Sequence, residues 1–365
     1  MKSIFALFLV VACAAQAGQA VSVQPRPFEG RNERGEAVGD AVKMPHITLP
    51  DRRVAARIND MLSITLLGAL GPKDAGKARG AEAVVLPGAF SQEYTIARND
   101  GRILSFVFEQ EGCGAYCEIY HSYSSFDVKT GRMLDDADLF TERGQAALER
   151  RMQGERIGRY RGMLASLQKD LKRLRKNRRR SVEAGDDLQG RIDLNSRCAG
   201  GGDDPEPVSG KFNVQLAYKT VNLIAERCGN HAQRALDDVG EVWISITYEN
   251  LRPHLTPYGK ALLLGEGDAR QDSLFGQLLR GKLGGTIGVT VLLAKDEGNA
   301  VGGTLFYDKV GQPITLTGTL DGDALVLAEA APDGEAAPLW RLRMEANRLH
   351  GKWVGKRELR AELAP

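Results

Sequence analysis

The sequence is poor in the residue spacings that announce catalysis. Histidine occurs only five times, at His46, His121, His231, His254 and His350. No pair follows His-x3-His or His-Glu-x-x-His, so the helical zinc-hydrolase pattern is missing. Gly-x-Ser-x-Gly is absent too, which removes the strained strand-to-helix turn of an α/β-hydrolase nucleophile. Gly281-Lys282-Leu283-Gly284-Gly285 lacks the Gly-x4-Gly-Lys-Ser/Thr spacing that cradles phosphates. Asp135, Asp136 and Asp138 do cluster, but at the entry to a helix, where carboxylates cap the first turn and complement its dipole. No catalytic residue, cofactor or metal site is therefore expected.

What is present begins at the N-terminus. Met1-Lys2, an apolar stretch from Ile4 to Ala12 and small residues through Ala20 follow the order of a secretory signal peptide. The stretch is too short to span a bilayer as a helix. Two exits are open. Ala15-Gln16-Ala17 or Gly18-Gln19-Ala20 suits an ordinary signal peptidase and releases the chain into the periplasm or the medium. Val10-Val11-Ala12-Cys13 resembles a lipobox, which would lipidate Cys13 and hold the chain at the outer membrane.

Export means an oxidising compartment. Without Cys13 the cysteines are Cys113, Cys117, Cys198 and Cys228, an even set that reads as disulfides. Of the three connectivities that four cysteines allow, Cys113–Cys117 with Cys198–Cys228 needs the least assembly. The second bridge would close a loop of about thirty residues, worth about 3–4 kcal/mol in the chain-entropy model. Zinc is the alternative, but Cys-x3-Cys is not a common finger spacing.

Formal charge is +2 overall yet unevenly placed: between Thr141 and Arg180, 14 Lys/Arg face 4 Asp/Glu. After the signal, residues 21–42 are polar, bear Gly and Pro and show no apolar period, which predicts a flexible leader. A first globular region spans 43–265. Within it Asp51 caps a helix over Arg52–Leu67, with Val54, Ile58, Met61 and Leu62 on one face. Strands are expected at Glu93–Ala97, Ile103–Glu109, Glu118–Asp127 and Val242–Thr247. A long basic helix is inserted at about 145–180, its seam Tyr160, Leu164, Leu167, Leu171 and Leu174. Gly154, Gly158 and Gly162 argue against one uninterrupted helix there. Asp186-Asp187 and Gly200–Pro205 read as exposed loops. After a linker at 266–283, residues 284–365 alternate with period two, as in Trp340, Leu342 and Met344 against Arg341, Arg343 and Glu345. The expected class is α+β: an N-terminal mixed α/β domain with an antiparallel sheet and the basic helix, then an all-β meander of about seven strands, barrel or sandwich.

The segments Leu104–Glu109, Gly112–Cys117, Phe126-Asp127-Val128-Lys129-Thr130-Gly131-Arg132 and Asp138-Leu139-Phe140, with Ile246–Lys260, resemble the RsiV-like domain-of-unknown-function family over about 45–265. Those exported domains occur on extracytoplasmic anti-sigma factors and beside peptidoglycan deacetylases, and some bind lysozyme. The resemblance implies a cell-envelope role. The family's Gly-Gly-Ala-His turn here reads Cys113-Gly114-Ala115-Tyr116-Cys117, with a cysteine pair and no histidine.

The candidate ligand contacts are Tyr116, Tyr120, His121 and Tyr123, because aromatic faces stack on sugars and anchor partner proteins. The candidate basic surface is Lys172, Arg173, Arg175, Lys176, Arg178, Arg179 and Arg180, whose cations are either solvated or laid on anionic lipid. Nucleic acid is excluded as a partner by export. The expected function is a non-enzymatic envelope binding or sensing module, its ligand a cell-wall glycan or an envelope protein. An inhibitor or immunity protein masking a hydrolase such as lysozyme is one alternative, a wall- or lipid-acting hydrolase another. Oligomeric state is not encoded legibly.

Overall fold

The computed structural model describes residues 20–31, 42–71, 83–85, 91–113, 117–176, 182–201, 208–295, 298–332 and 334–365. The signal segment with Cys13 lies outside them, as do Tyr116 and Arg178–Arg180. Residues 22–31, expected as part of a flexible leader, form a strand, β1 (Ser22–Arg31), antiparallel to β2 (Val42–Thr48) and parallel to β3 (Ala83–Val85). Val21 and Phe28 are buried, and a few well-spaced apolar residues suffice to seat the strand, whose Pro25 and Pro27 lie in the stretch paired with β2 alone, β3 meeting only residues 29–31.

Helix α1 (Arg52–Leu67) begins at Asp51, whose carboxylate accepts from the backbone N–H groups of Arg53 and Val54. Its apolar face meets β4 (Ser91–Asn99), β5 (Ile103–Cys113) and β6 (Cys117–Asp127), an antiparallel meander. Ile58, Met61 and Leu62 pack with Leu104, Phe106, Phe108 and Phe126, the alternate residues of β5 and β6 that share one side of the sheet. The turn after β6 is tight because Gly131 sits at φ +77°, and a Cβ there would meet the Val54 carbonyl at 3.0 Å.

The short α2 (Asp136–Leu139) is closed by a capping box between Asp135 and Asp138. Asp138 is also buried against Arg132, Nε to Oδ2 2.9 Å, and accepts from Gln271 at 2.9 Å. Arg132 in turn donates to the Ser273 and Phe275 carbonyls, while Tyr258 donates to Asp127 at 2.8 Å. The resembling segments thus converge on one structural lock, which pins the connection to the second region.

Helix α3 (Glu142–Lys176) runs 35 residues through all three glycines. Gly154, Gly158 and Gly162 face open space, so each costs only propensity, and the helix is held instead by its apolar face. Leu148 and Met152 enter the core beneath β7 (Asn213–Leu216), β8 (Thr220–Ala225) and β9 (Val242–Thr247). Further along, Leu167 and Leu171 pack on Leu188 and Ile192 of α4 (Val182–Cys198), with Tyr160 against Leu194. The two helices therefore form an antiparallel hairpin. Asp186 and Asp187, expected in a loop, lie on the exposed side of α4, where a polar helix face is indistinguishable from loop by composition. Cys198 and Cys228 are bridged; Cys117 is disulfide-bonded as well, and its backbone register partner across the hairpin is residue 113.

The strand ladder β7–β8–β9 is followed by α5 (Tyr248–Leu251) and α6 (Pro257–Leu264). The remainder is a closed antiparallel barrel of eight strands: β10 (Leu278–Leu283), β11 (Ile287–Lys295), β12 (Ala300–Tyr307), β13 (Pro313–Asp321), β14 (Ala324–Glu329), β15 (Leu339–Glu345), β16 (Arg348–Val354) and β17 (Glu358–Ala364). It begins inside the segment expected as a linker. β10 closes it by pairing with β17, and Leu278 on its outer side joins the first domain's core. The interior is filled by side chains such as Leu279, Val291, Leu305, Leu327 and Trp340, as eight strands dictate.

Candidate functional site

Strand alternation separates the expected contacts. Tyr120 shares a face of β6 with Phe126 and Glu118, whereas His121 and Tyr123 point to the other face with Ile119. Tyr120 is exposed (37 %), and His121 lies 3.5 Å from Glu109. Tyr116 lies outside the described residues. The sequence-derived quartet is therefore not one cluster.

The structure assembles a different group around Tyr123. Its ring meets Trp243 of β9 edge-on, centroids 6.4 Å apart at 85°. Trp243 is 39 % exposed, although it occupies the outward position of an otherwise regular strand, between the buried Val242 and Ile244. Its indole N–H donates to Glu241 at 3.2 Å, and its carbonyl accepts from Arg159 of α3 at 3.3 Å. The Tyr123 hydroxyl is enclosed with no hydrogen-bond partner. Burial, with Glu241 nearby, pushes the phenol up to about 12, so it stays a neutral donor at all ordinary pH. Beside it, Ile119 is 49 % exposed.

The platform rests on rigid supports. Glu118 is engaged by Arg227 at 3.4 Å and Arg234 at 3.2 Å, which tether the end of the β5–β6 hairpin. Tyr160, fully buried, donates to Asp237 at 3.1 Å and accepts from the Cys228 N–H at 3.1 Å, next to the disulfide. Arg156 donates to the Ser209 and Glu226 carbonyls and fixes α3 to the sheet. The exposed Trp243 face with the Glu241 carboxylate beside it suits stacking on a sugar ring with hydrogen bonds to its hydroxyls. The group provides no nucleophile–base pair.

Sequence reasoning missed Trp243, whose signal was available: a bulky aromatic at the wet position of an alternating strand. Of the expected basic surface, Lys172, Arg173, Arg175 and Lys176 are exposed at the far end of α3, with Arg173 3.3 Å from Asp170. They are remote in sequence from the α3 turn that touches Trp243. Among the described residues, no group of three or more His, Cys, Asp or Glu is arranged to hold a metal ion, and no helix is long and apolar enough to cross a membrane.

No protein-family model matches the chain, and no curated protein does. Among solved structures it is similar to a member of the DUF3298 family from Bacteroides fragilis, with 15 % identity and a TM-score of 0.38 over 66 % of this chain and 96 % of that one. A DUF3298 family protein from Pseudomonas aeruginosa is similar at 11 % identity and a TM-score of 0.36, again over 66 % and 96 %. Nothing about chemistry follows from likenesses at this level.

Proposed function

We propose that the protein is an exported binding module of the bacterial cell envelope, periplasmic or lipidated at Cys13, which recognises a cell-wall glycan through Trp243 and Tyr123. The observation that carries this reading is the half-exposed Trp243 set edge-on against Tyr123, whose enclosed hydroxyl has no partner. The Cys198–Cys228 bridge fits an oxidising compartment.

Tryptophan fluorescence tests the proposal, because Trp340 is buried and Trp353 half-buried inside the barrel, leaving Trp243 to report. Titration with N-acetylglucosamine oligomers should shift its emission. Trp243→Ala should weaken binding about tenfold, ~1.4 kcal/mol. Equal binding by this variant would remove the platform from the account.

A second reading, inhibition of a foreign hydrolase, is favoured by one observation of its own. Ile119 and Tyr120 are exposed on opposite faces of a hairpin held by the Cys117 disulfide and by Glu118, a rigid edge suited to a protein cleft. Stoichiometric inhibition of lysozyme, abolished by Tyr120→Ala, would select it.

A further inference from the structure

Where the first domain meets the barrel lies a cleft of about 430 Å³. One wall is made by β1, β2 and α1, which bring Arg26, His46 and Ser63 to it; the other is made by Arg280, Thr290 and Asp308 of the barrel. Phe28, Met44 and Leu70 give it an apolar lining. The volume lies in the range that holds a small ligand, and domain interfaces are a preferred place for such sites.

Most polar groups in the cleft are already engaged. Arg280 is paired with Asp60 of α1, a contact that crosses from barrel to first domain. Thr290 donates to Asp308 at 2.9 Å. Asn59 spends both ends of its amide on the Ile47 backbone, at 2.8 and 2.9 Å. Arg26 differs. Its guanidinium lies over the Phe28 ring, 4.8 Å from the centroid, and its Nη2 is enclosed with no acceptor. The rest of the side chain is half-buried at the cleft wall, so one donor of an otherwise accessible cation is withheld from water without an acceptor.

The surroundings point to the missing group. Burial, then the charge of Arg26, lowers the pKa of His46, which places the imidazole within that guanidinium's field and keeps it neutral. Burial also lowers the pKa of Arg280, with Asp308 opposing and Arg57 reinforcing the shift. Added negative charge would relieve both. Ser63 is buried in the wall with Gly71 packed against it: a Cβ on residue 71 would lie 2.7 Å from Ser63 Oγ.

We propose that this cleft is a binding site for a small acidic ligand, a carboxylate or a phosphate, with the half-exposed guanidinium of Arg26 as its principal donor. The apolar lining accepts the body of the ligand. Because the walls belong to different domains, occupancy ties the two together. The site is separate from the Trp243 platform, so either stands if the other fails.

The test is calorimetric titration of the purified, oxidised Trp243→Ala chain, in which the aromatic platform no longer contributes sugar binding, with N-acetylmuramic acid, N-acetylglucosamine and inorganic phosphate. The first two differ chiefly in a carboxylate-bearing substituent. Binding of N-acetylmuramic acid but not N-acetylglucosamine would assign a carboxylate ligand, and binding of phosphate alone would assign a phosphate. In either case Arg26→Gln should weaken binding at least tenfold. Since Arg26 also covers Phe28, the wild-type chain gives a second reading: saturation with the bound probe should shift the His46 imidazole NMR signals. Equal binding of the neutral sugar, unchanged affinity in Arg26→Gln, an unmoved His46 or no binding by any probe would overturn the proposal.

Discussion

The first domain buries Asp138 against a guanidinium, whereas the barrel satisfies its buried Glu329 with neutral donors. Asp138 meets Arg132 at 2.9 Å, and Arg132 reaches on to the Ser273 and Phe275 carbonyls. Glu329 accepts from Trp340 Nε1 at 2.9 Å, Trp353 Nε1 at 2.6 Å and the Tyr307 hydroxyl at 3.0 Å. The Tyr307 phenol is accordingly driven well above its ordinary range by burial and by that carboxylate. One acid spends its hydrogen bonds across 133 positions of sequence, from Asp138 to Gln271; the other stays within strands β12 to β16. The first arrangement couples regions, and the second closes one.

Breaking the longer-range network should cost most. Asp138→Ala leaves a buried Arg132 without its carboxylate, an expected loss of about 3–5 kcal/mol. Urea unfolding should show the loss, with the transitions of first domain and barrel separating because the connection is released. Unchanged single-transition behaviour would contradict the coupling role. The α3–α4 hairpin offers a covalent counterpart. Cys198→Ser should cost about 3–4 kcal/mol by the loop-entropy argument and free the base of the hairpin, measurable as loss of amide protection around Tyr160.

Glu329→Ala sharpens the contrast from the barrel side. It strands two indole N–H groups and a phenol, an expected cost of about 2–4 kcal/mol, while Glu329→Gln keeps one acceptor oxygen and should cost less. If the glutamine variant were as damaged as alanine, charge rather than hydrogen bonding would be what the barrel uses.

The smallest effect concerns Asp136, whose pKa is raised to about 6 by burial, then by Asp135 and Glu149. An unfolded aspartate titrates near 3.9. The folded state therefore binds the extra proton between about pH 4 and pH 6, and stability falls as pH rises through that window. Above it the carboxylate is charged in both states and the penalty is complete. Asp136→Asn should recover about 1 kcal/mol at pH 7 and flatten this pH slope in thermal melts.

The same contrast explains what the sequence made legible. The barrel pairs each strand with its neighbour in the chain, so period-two patterns such as Trp340, Leu342 and Met344 were enough to read the meander, and only closure through β10 and β17 was hidden. Helix α1 was equally plain, because its cap and apolar face are local. In the first domain the decisive contacts are remote. Nothing near Phe126-Asp127 announces that Tyr258 will donate to it, and nothing near Tyr123 announces Trp243. The aromatic strand was visible, and alternation alone parts Tyr120 from His121 and Tyr123, but what each face meets depends on the neighbouring sheet. The Arg26 cleft was wholly illegible, since β1 carries prolines and no clean alternation and its partner wall lies about 250 residues downstream.

Co-sedimentation of the oxidised protein with purified peptidoglycan sacculi, at low and high salt, tests the central claim most directly, with Trp243→Ala alongside. Glycan recognition by the aromatic platform predicts pelleting that survives high salt and is lost in the variant. Pelleting confined to low salt would instead mark screened attraction by the exposed cations of α3. That result, or no pelleting at all, would contradict the account.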